Sequence, residues 1–149
     1  GIVAPDKHRF PKLSNRWATA LDWFSEGCRE SSDSIAVAKL GTSLDVLSAG
    51  GKYAGIATMV SNLLDIEGDR EVIGGENPLT LNKAIKEIYD DGRSKILHGT
   101  YFNRLEAMKF ERERAFFFAR IALIESAVRL IKYDGADNDD VFKTIAKGS

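Results

Sequence analysis

Apolar residues recur at steps of three and four along most of this chain, which is the spacing of one face of an α-helix. Four such stripes cover residues 13–28, 37–47, 53–64 and 81–89, and a longer one runs from about residue 104 to 131. No stretch alternates apolar and polar residues over the length of a strand. The sequence therefore predicts an all-α fold, a bundle of about five helices plus a short motif helix.

Local signals predict where these helices begin and end. The Ser/Asp cluster at residues 31–34 offers side-chain acceptors for the start of the second helix, and Thr80 is a candidate cap for the fourth. We expect Asp90, Asp91 and Gly92 to interrupt the fourth helix. In the final helix the predicted buried seam consists of Phe117, Ile121, Ile124, Val128 and Ile131.

The length of 149 residues suits a single domain that buries its own core. We predict a helical domain over residues 13–132, preceded by an extension over residues 1–12. An acidic tail follows over residues 133–149, in which Val141, Phe142 and Ile145 indicate a short docking helix.

Charge and cysteine content narrow the possible partners. Lys and Arg number 21 against 22 Asp and Glu, so no overall basic field indicates a nucleic-acid partner, and any RNA contact must be local. The single Cys28 and the lack of a Cys/His cluster favour a reducing compartment, a site without metal and no cofactor. The apolar runs are too short to cross a bilayer, so we expect a cytoplasmic protein with no membrane contact.

Residues 88–101 carry the candidate chemistry, because His98 follows Arg93 by five positions there. RNA has a 2′-hydroxyl that attacks the adjacent phosphate once a base removes its proton and a cation stabilises the charge on phosphorus. An imidazole exchanges protons near neutral pH, and a guanidinium can hold two phosphate oxygens. Because an Arg and a His fall at such a spacing by chance in many chains, the residues around them must supply further evidence.

Those surrounding residues resemble the HEPN family, specifically its Apea-like branch, in which an aromatic residue precedes an Arg-Ser or Arg-Asn pair and the motif closes in apolar-x-His-Gly. The matching residues are Tyr89, Arg93, Ser94, Ile96, His98 and Gly99. The helix order is similar as well, over about residues 13–132. The resemblance implies an endoribonuclease in which Arg93 and His98 are catalytic. Domains of this kind commonly serve as toxins or antiviral defence proteins.

A homodimer follows from the resemblance and from the geometry of an ideal helix. Residues 93 and 98 of a straight α-helix would point about 140° apart and lie roughly 7.5 Å apart along the axis, so one motif supplies half a site. Relatives generally dimerise through this surface. Ser94, one turn before His98, and Asp45 on the second helix are supporting candidates.

The resemblance also suggests regulatory and RNA contacts. Some relatives carry, two residues after the His, a Tyr that a partner protein modifies, whereas Tyr101 stands three after. An antitoxin or another regulatory protein is the corresponding partner. Lys95 and Arg104 are the candidate RNA contacts, and basic residues further along the final helix, such as Arg112, could extend them unless they pair with the interleaved glutamates.

Two alternatives of other classes stay open. The chain could be a non-catalytic HEPN module that dimerises and binds RNA or nucleotides, with the motif kept for structure. It could instead be an unrelated helical interaction domain in which Phe116, Phe117 and Phe118 form a partner surface. Aromatic residues at helical spacing pack in a core or in a dimer interface more often than they stack on bases.

Overall fold

The computed structural model describes residues 9–94 and 108–148, with the backbone alone for residues 91–94. The elements in chain order are α1 (Pro11–Arg29), α2 (Asp33–Leu47), α3 (Lys52–Leu64), β1 (Glu71–Ile73), β2 (Leu79–Thr80), α4 (Leu81–Lys86), a π-helix (Glu87–Ser94), α5 (Lys109–Ile131) and a 3-10 helix (Val141–Lys143). The predicted all-α class is confirmed, because helices dominate and the two strands are very short.

Helix α2 lies at the centre of the bundle, where it packs against α1, α3, α5 and the π-helix. Small residues on this helix, including Ala36, Gly41 and Ser43, are buried and let its neighbours approach closely. The closest approach is to α1, where a Cβ added to Gly27 would lie 2.9 Å from Leu40 Cγ. The Ser43 hydroxyl joins the same two helices by donating to the carbonyl of Ala20 at 2.6 Å.

Helix α5 is apolar on two opposite faces, and the predicted buried seam is wrong. Its core-facing residues are Ala115, Phe118, Ala119, Ala122, Leu123, Ser126, Ala127, Arg129 and Leu130. The predicted seam lies on the outer side: Phe117 is 52%, Val128 53% and Ile131 60% exposed. Ile121 and Ile124 are half-buried. Both faces have helical spacing, so periodicity alone could not decide which one the core covers.

The two strands were not predicted. They form an antiparallel ribbon in which Glu71 is opposite Thr80 and Ile73 is opposite Leu79. Strands of three and two residues are too short for an alternating pattern to be recognised.

The ends of the helices differ in part from the prediction. The Thr80 hydroxyl caps α4 by accepting from the Lys83 backbone N–H at 3.2 Å, as expected. The Ser32 side chain makes no capping bond to α2. Asp90, Asp91 and Gly92 do not interrupt the helix, because the backbone continues as a π-helix to Ser94. Helix α5 begins at Lys109 rather than near residue 104.

The C-terminal segment is held against the bundle by Arg129, which is only 5% exposed. Its guanidinium donates to the carbonyls of Ile145 at 2.9 Å and Leu63 at 3.2 Å. The apolar residues Val141, Phe142 and Ile145 of this segment are buried. Arg129 therefore ties α5 to both α3 and the end of the chain.

We expect Arg129→Met to lower the free energy of unfolding by about 2–4 kcal/mol, because two buried carbonyls lose a charged donor. Urea titration followed by circular dichroism measures this difference. The control is Arg120→Met on the exposed side of the same helix, which we expect to change stability by less than about 0.5 kcal/mol. Equal effects of the two variants would contradict the anchoring role of Arg129.

Candidate functional site

The candidate site begins on the π-helix, which packs against α2, α3, α4 and α5. Its residue Ile88 is buried, and Glu87 at its start pairs with Arg114 of α5 at 3.4 Å. A π-helix is rare in proteins and is frequent at functional sites. The element that carries the backbone of Arg93 and Ser94 is therefore supported from several sides.

The predicted site residues are only partly described. Arg93 and Ser94 lie near the end of the π-helix, and their side chains are outside the described part of the chain. Lys95, His98, Tyr101 and Arg104 lie outside the described residues altogether. The mutual placement of Arg93 and His98, and a contact of Asp45 with either, stay predictions.

Asp45 lies in the last turn of α2 and is half-buried. Its backbone carbonyl accepts from the Gly50 N–H at 3.0 Å and from the Ser48 hydroxyl at 3.0 Å, which closes the turn after α2. Because α2 packs against the π-helix, the structure brings together the two elements that carry Asp45 and Arg93.

The geometry of an ideal α-helix does not apply around Arg93. From Glu87 to Ser94 the backbone is a π-helix, which is wider than an α-helix. The angle of about 140° between positions 93 and 98 was calculated for a straight α-helix, so it does not hold from Arg93 onward. The inference that one motif supplies half a site then depends on the resemblance alone.

A groove of about 730 Å³ lies between α3, α4 and the 3-10 helix. Lys83 and Lys86 line it from α4, and Lys143 lines it from the 3-10 helix. Among the described residues that line it, none is acidic. We call this feature the lysine groove.

The sequence pattern could have indicated two of these lysines but not the third. Lys83 and Lys86 are three positions apart and therefore share one side of a helical turn. Lys143 joins them only because the C-terminal segment folds back onto α3, where the Asn62 side chain donates to the Ile145 carbonyl at 2.9 Å.

A second, mainly apolar cavity of about 620 Å³ lies between α5 and the ribbon, where Phe110 and Phe117 face Val72 and Ile73. The three consecutive phenylalanines of α5 do not form one surface. Phe118 is only 4% exposed, and Phe116, 40% exposed, stacks on Phe24 with the ring centroids 5.5 Å apart. Only Phe117 belongs to the outer face of α5 together with Phe110.

Arg112 has a structural role that limits its availability to RNA. Its guanidinium donates to the Glu30 carbonyl at 2.6 Å and pairs with Asp33 at 3.0 Å. These contacts join the start of α5 to the connection between α1 and α2.

Cys28 lines a cavity next to Arg112. Burial raises the pKa of the Cys28 thiol, and the nearby charges of Arg112 and Arg29 offset only part of that increase. The thiolate is the nucleophilic form of cysteine, so the raised pKa disfavours a nucleophilic role at neutral pH.

Over residues 9–94 and 108–148, no three His, Cys, Asp or Glu side chains are grouped so that they could hold a metal ion. Within the same ranges, no helix has the length and apolar character needed to cross a membrane.

We expect Arg112→Gln to lower the free energy of unfolding by about 1–2 kcal/mol, because the Glu30 carbonyl and Asp33 lose their donor. We expect no specific loss of RNA affinity. Arg114→Gln is the control, since its single ion pair with Glu87 is partly exposed and contributes at most about 1 kcal/mol. Chemical unfolding and RNA anisotropy measure the two effects, and weaker RNA binding at unchanged stability would refute the structural role.

Comparisons with known proteins identify no relative of this chain. Neither the family models, nor the curated proteins, nor the solved structures contain a match to the chain. Any proposal about function therefore depends on the chain's own residues and on the resemblance of its motif.

Proposed function

We propose that the chain is a metal-independent endoribonuclease of the HEPN type that acts as a homodimer, with Arg93 and His98 as its catalytic residues. The observation that carries the proposal is the run from Tyr89 to Gly99, which combines the Arg93-x4-His98 spacing with the flanking residues of the Apea-like pattern. The π-helical backbone at Arg93 and its packing against α2 support it, because such a backbone is frequent at functional sites.

The proposed reaction needs only groups that this chain supplies. His98, as general base, takes the proton of a 2′-hydroxyl, and the oxygen attacks the adjacent phosphorus. The bond from phosphorus to the 5′-oxygen breaks, and that oxygen receives a proton from a general acid, a role open to a second His98. Arg93 stabilises the charge on the phosphate oxygens. The products are a 2′,3′-cyclic phosphate and a 5′-hydroxyl, with no change of oxidation state.

Supporting roles follow the resemblance. Ser94 would orient His98 or contact a phosphate, and Asp45 would hold one of the two catalytic side chains. Lys95 and Arg104 would contact the RNA, and Tyr101 would be the site that a regulatory protein recognises. An antitoxin partner, a defence role and a cytoplasmic location belong to the same proposal.

The outer face of α5 supports the homodimer. Phe110, Phe117, Val128 and Ile131 are between 52% and 66% exposed. The residues from Phe117 to Ile131 on this face follow a repeat of three and four, and Phe110 lies seven residues before Phe117. This spacing is that of a coiled-coil seam, which another helix with the same spacing covers. A second copy of α5 supplies such a helix through a twofold axis.

We expect wild-type protein to cleave mixed single-stranded RNA in EDTA and to leave 2′,3′-cyclic phosphate ends. His98→Ala and Arg93→Ala should each reduce the rate by about 10²–10⁴-fold, since each removes a group that acts on the transition state. The control is Lys12→Ala, a cation on α1 outside the proposed site, which should cleave at the wild-type rate. Equal cleavage by His98→Ala and wild type would refute the proposal.

The second candidate is a non-catalytic HEPN module for dimerisation and for binding of RNA or a nucleotide. The nearly balanced charge favours this candidate, because a module that mainly dimerises needs no basic surface to attract a substrate. RNA binding that is unchanged in His98→Ala, with no cleavage by either protein, would select it over the nuclease.

We expect Phe117→Glu and Val128→Glu to convert a dimer to a monomer, because each places a charge in the α5 seam. Light scattering coupled to size-exclusion chromatography measures the mass. Phe116→Glu is the matched control, since Phe116 is an exposed aromatic of the same helix that packs toward α1 instead. A wild-type monomer, or dimers of the two seam variants at the wild-type concentration, would contradict the interface.

A further inference from the structure

The lysine groove has the volume of a ligand site. Its volume of about 730 Å³ lies within the roughly 300–1,000 Å³ of ligand pockets. Helix α3 forms the floor with residues such as Ala57 and Thr58, and the lysines lie on two different elements above it. A ligand in the groove would therefore have positive charges on both sides.

The charge of the groove is not explained by the composition of the chain. The whole protein is nearly neutral, yet the described lining of this surface includes three lysines and no acidic residue. None of the ion pairs among the described residues involves Lys83, Lys86 or Lys143. Neighbouring cations repel one another, so a bound anion would relieve the repulsion.

Two acidic residues that follow Lys86 in the chain line a different cavity. Glu87 and Asp90 line a smaller cavity of about 330 Å³ that also touches Lys83 and Lys86. Glu87 is already paired with Arg114 at 3.4 Å. The charged residues among the described lining of the lysine groove itself are all lysines.

A contact with the fold restricts the ammonium group of Lys86. Lys86 Nζ lies 5.5 Å from the centroid of the Tyr53 ring, within the range of a cation–π contact. A lysine held by such a contact loses less conformational entropy when it binds a ligand. Lys143 Nζ lies near the Gly50-Gly51 turn, since a Cβ added to Gly51 would be 3.5 Å from it.

We propose that the lysine groove binds the phosphodiester backbone of single-stranded RNA beside the cleavage motif. We favour RNA over other anions as the ligand because the π-helix that carries Arg93 begins directly after Lys86. An RNA strand bound in the groove would therefore lead toward that π-helix. Lysines contact phosphates without reading the bases, and the groove thus contributes affinity rather than sequence preference. In naming RNA, this inference rests on the proposed function.

The test measures binding without cleavage. A fluorescein-labelled 2′-O-methyl RNA has no free 2′-hydroxyl to attack, and its anisotropy reports the dissociation constant at several salt concentrations. For Lys83→Gln/Lys86→Gln/Lys143→Gln we expect affinity to fall by at least about tenfold. The slope of log K against log salt should become shallower by about 2, near 0.7 for each lost phosphate contact.

The matched control removes the same charge from the surface outside the groove, with Lys12→Gln/Arg29→Gln/Arg120→Gln. We expect its affinity to stay within about twofold of wild type. Equal thermal midpoints of both triple variants and wild type show that folding is unaffected. Unchanged affinity in the groove variant, equal losses in both triple variants, or binding of a mononucleotide but not of the strand would overturn the proposal.

The outcome separates this inference from the nuclease. Selective loss of binding in the groove variant, with no cleavage by wild type, supports the groove and refutes the nuclease. Cleavage by wild type with normal RNA binding by the groove variant supports the nuclease and refutes the groove.

Discussion

The structure depends on the burial of α2, which is surrounded by α1, α3, α5 and the π-helix. A central helix can have so many close neighbours only if its side chains are small where backbones approach, as at Ala36, Gly41 and Ser43. Ser43 is paired across one of these contacts, since its hydroxyl donates to α1, and the Trp17 indole joins α1 to α5 by donating to the Leu123 carbonyl at 2.8 Å. Because the π-helix packs against α2, the same constraint positions the backbone on which Arg93 lies.

Helix α5 connects the core to the proposed homodimer. One face completes the core, and the opposite face exposes large apolar side chains such as Phe110 and Phe117. A helix that is apolar on both sides is expected to be covered on both sides, because exposed apolar area of this extent is costly in a monomer. Three separate features of the molecule therefore support the proposals: the motif supports the nuclease, the outer face of α5 supports the homodimer, and the lysines around α3 support the groove.

Much of the fold could be predicted from local patterns, and the errors have physical causes. The spacing of apolar residues placed α1, α2 and α3 correctly, and Thr80 caps α4 as its side chain suggested. The π-helix was missed because Asp90, Asp91 and Gly92 are usual helix terminators, whereas packing against α2 and α5 supports a continuous backbone there. Arg129 could not be recognised as a buried anchor, because its acceptors at Leu63 and Ile145 are distant in the chain.

The sequence by itself determined the helical class, the approximate extents of the helices and the run of residues that resembles a HEPN motif, since these follow from side-chain spacing and identity. Only the tertiary structure decided which face of α5 meets the core and that Lys143 joins Lys83 and Lys86. The physical reason is that a local pattern records which side chains share a face. Which neighbour covers that face, and which distant charges meet, depends on how the whole chain packs.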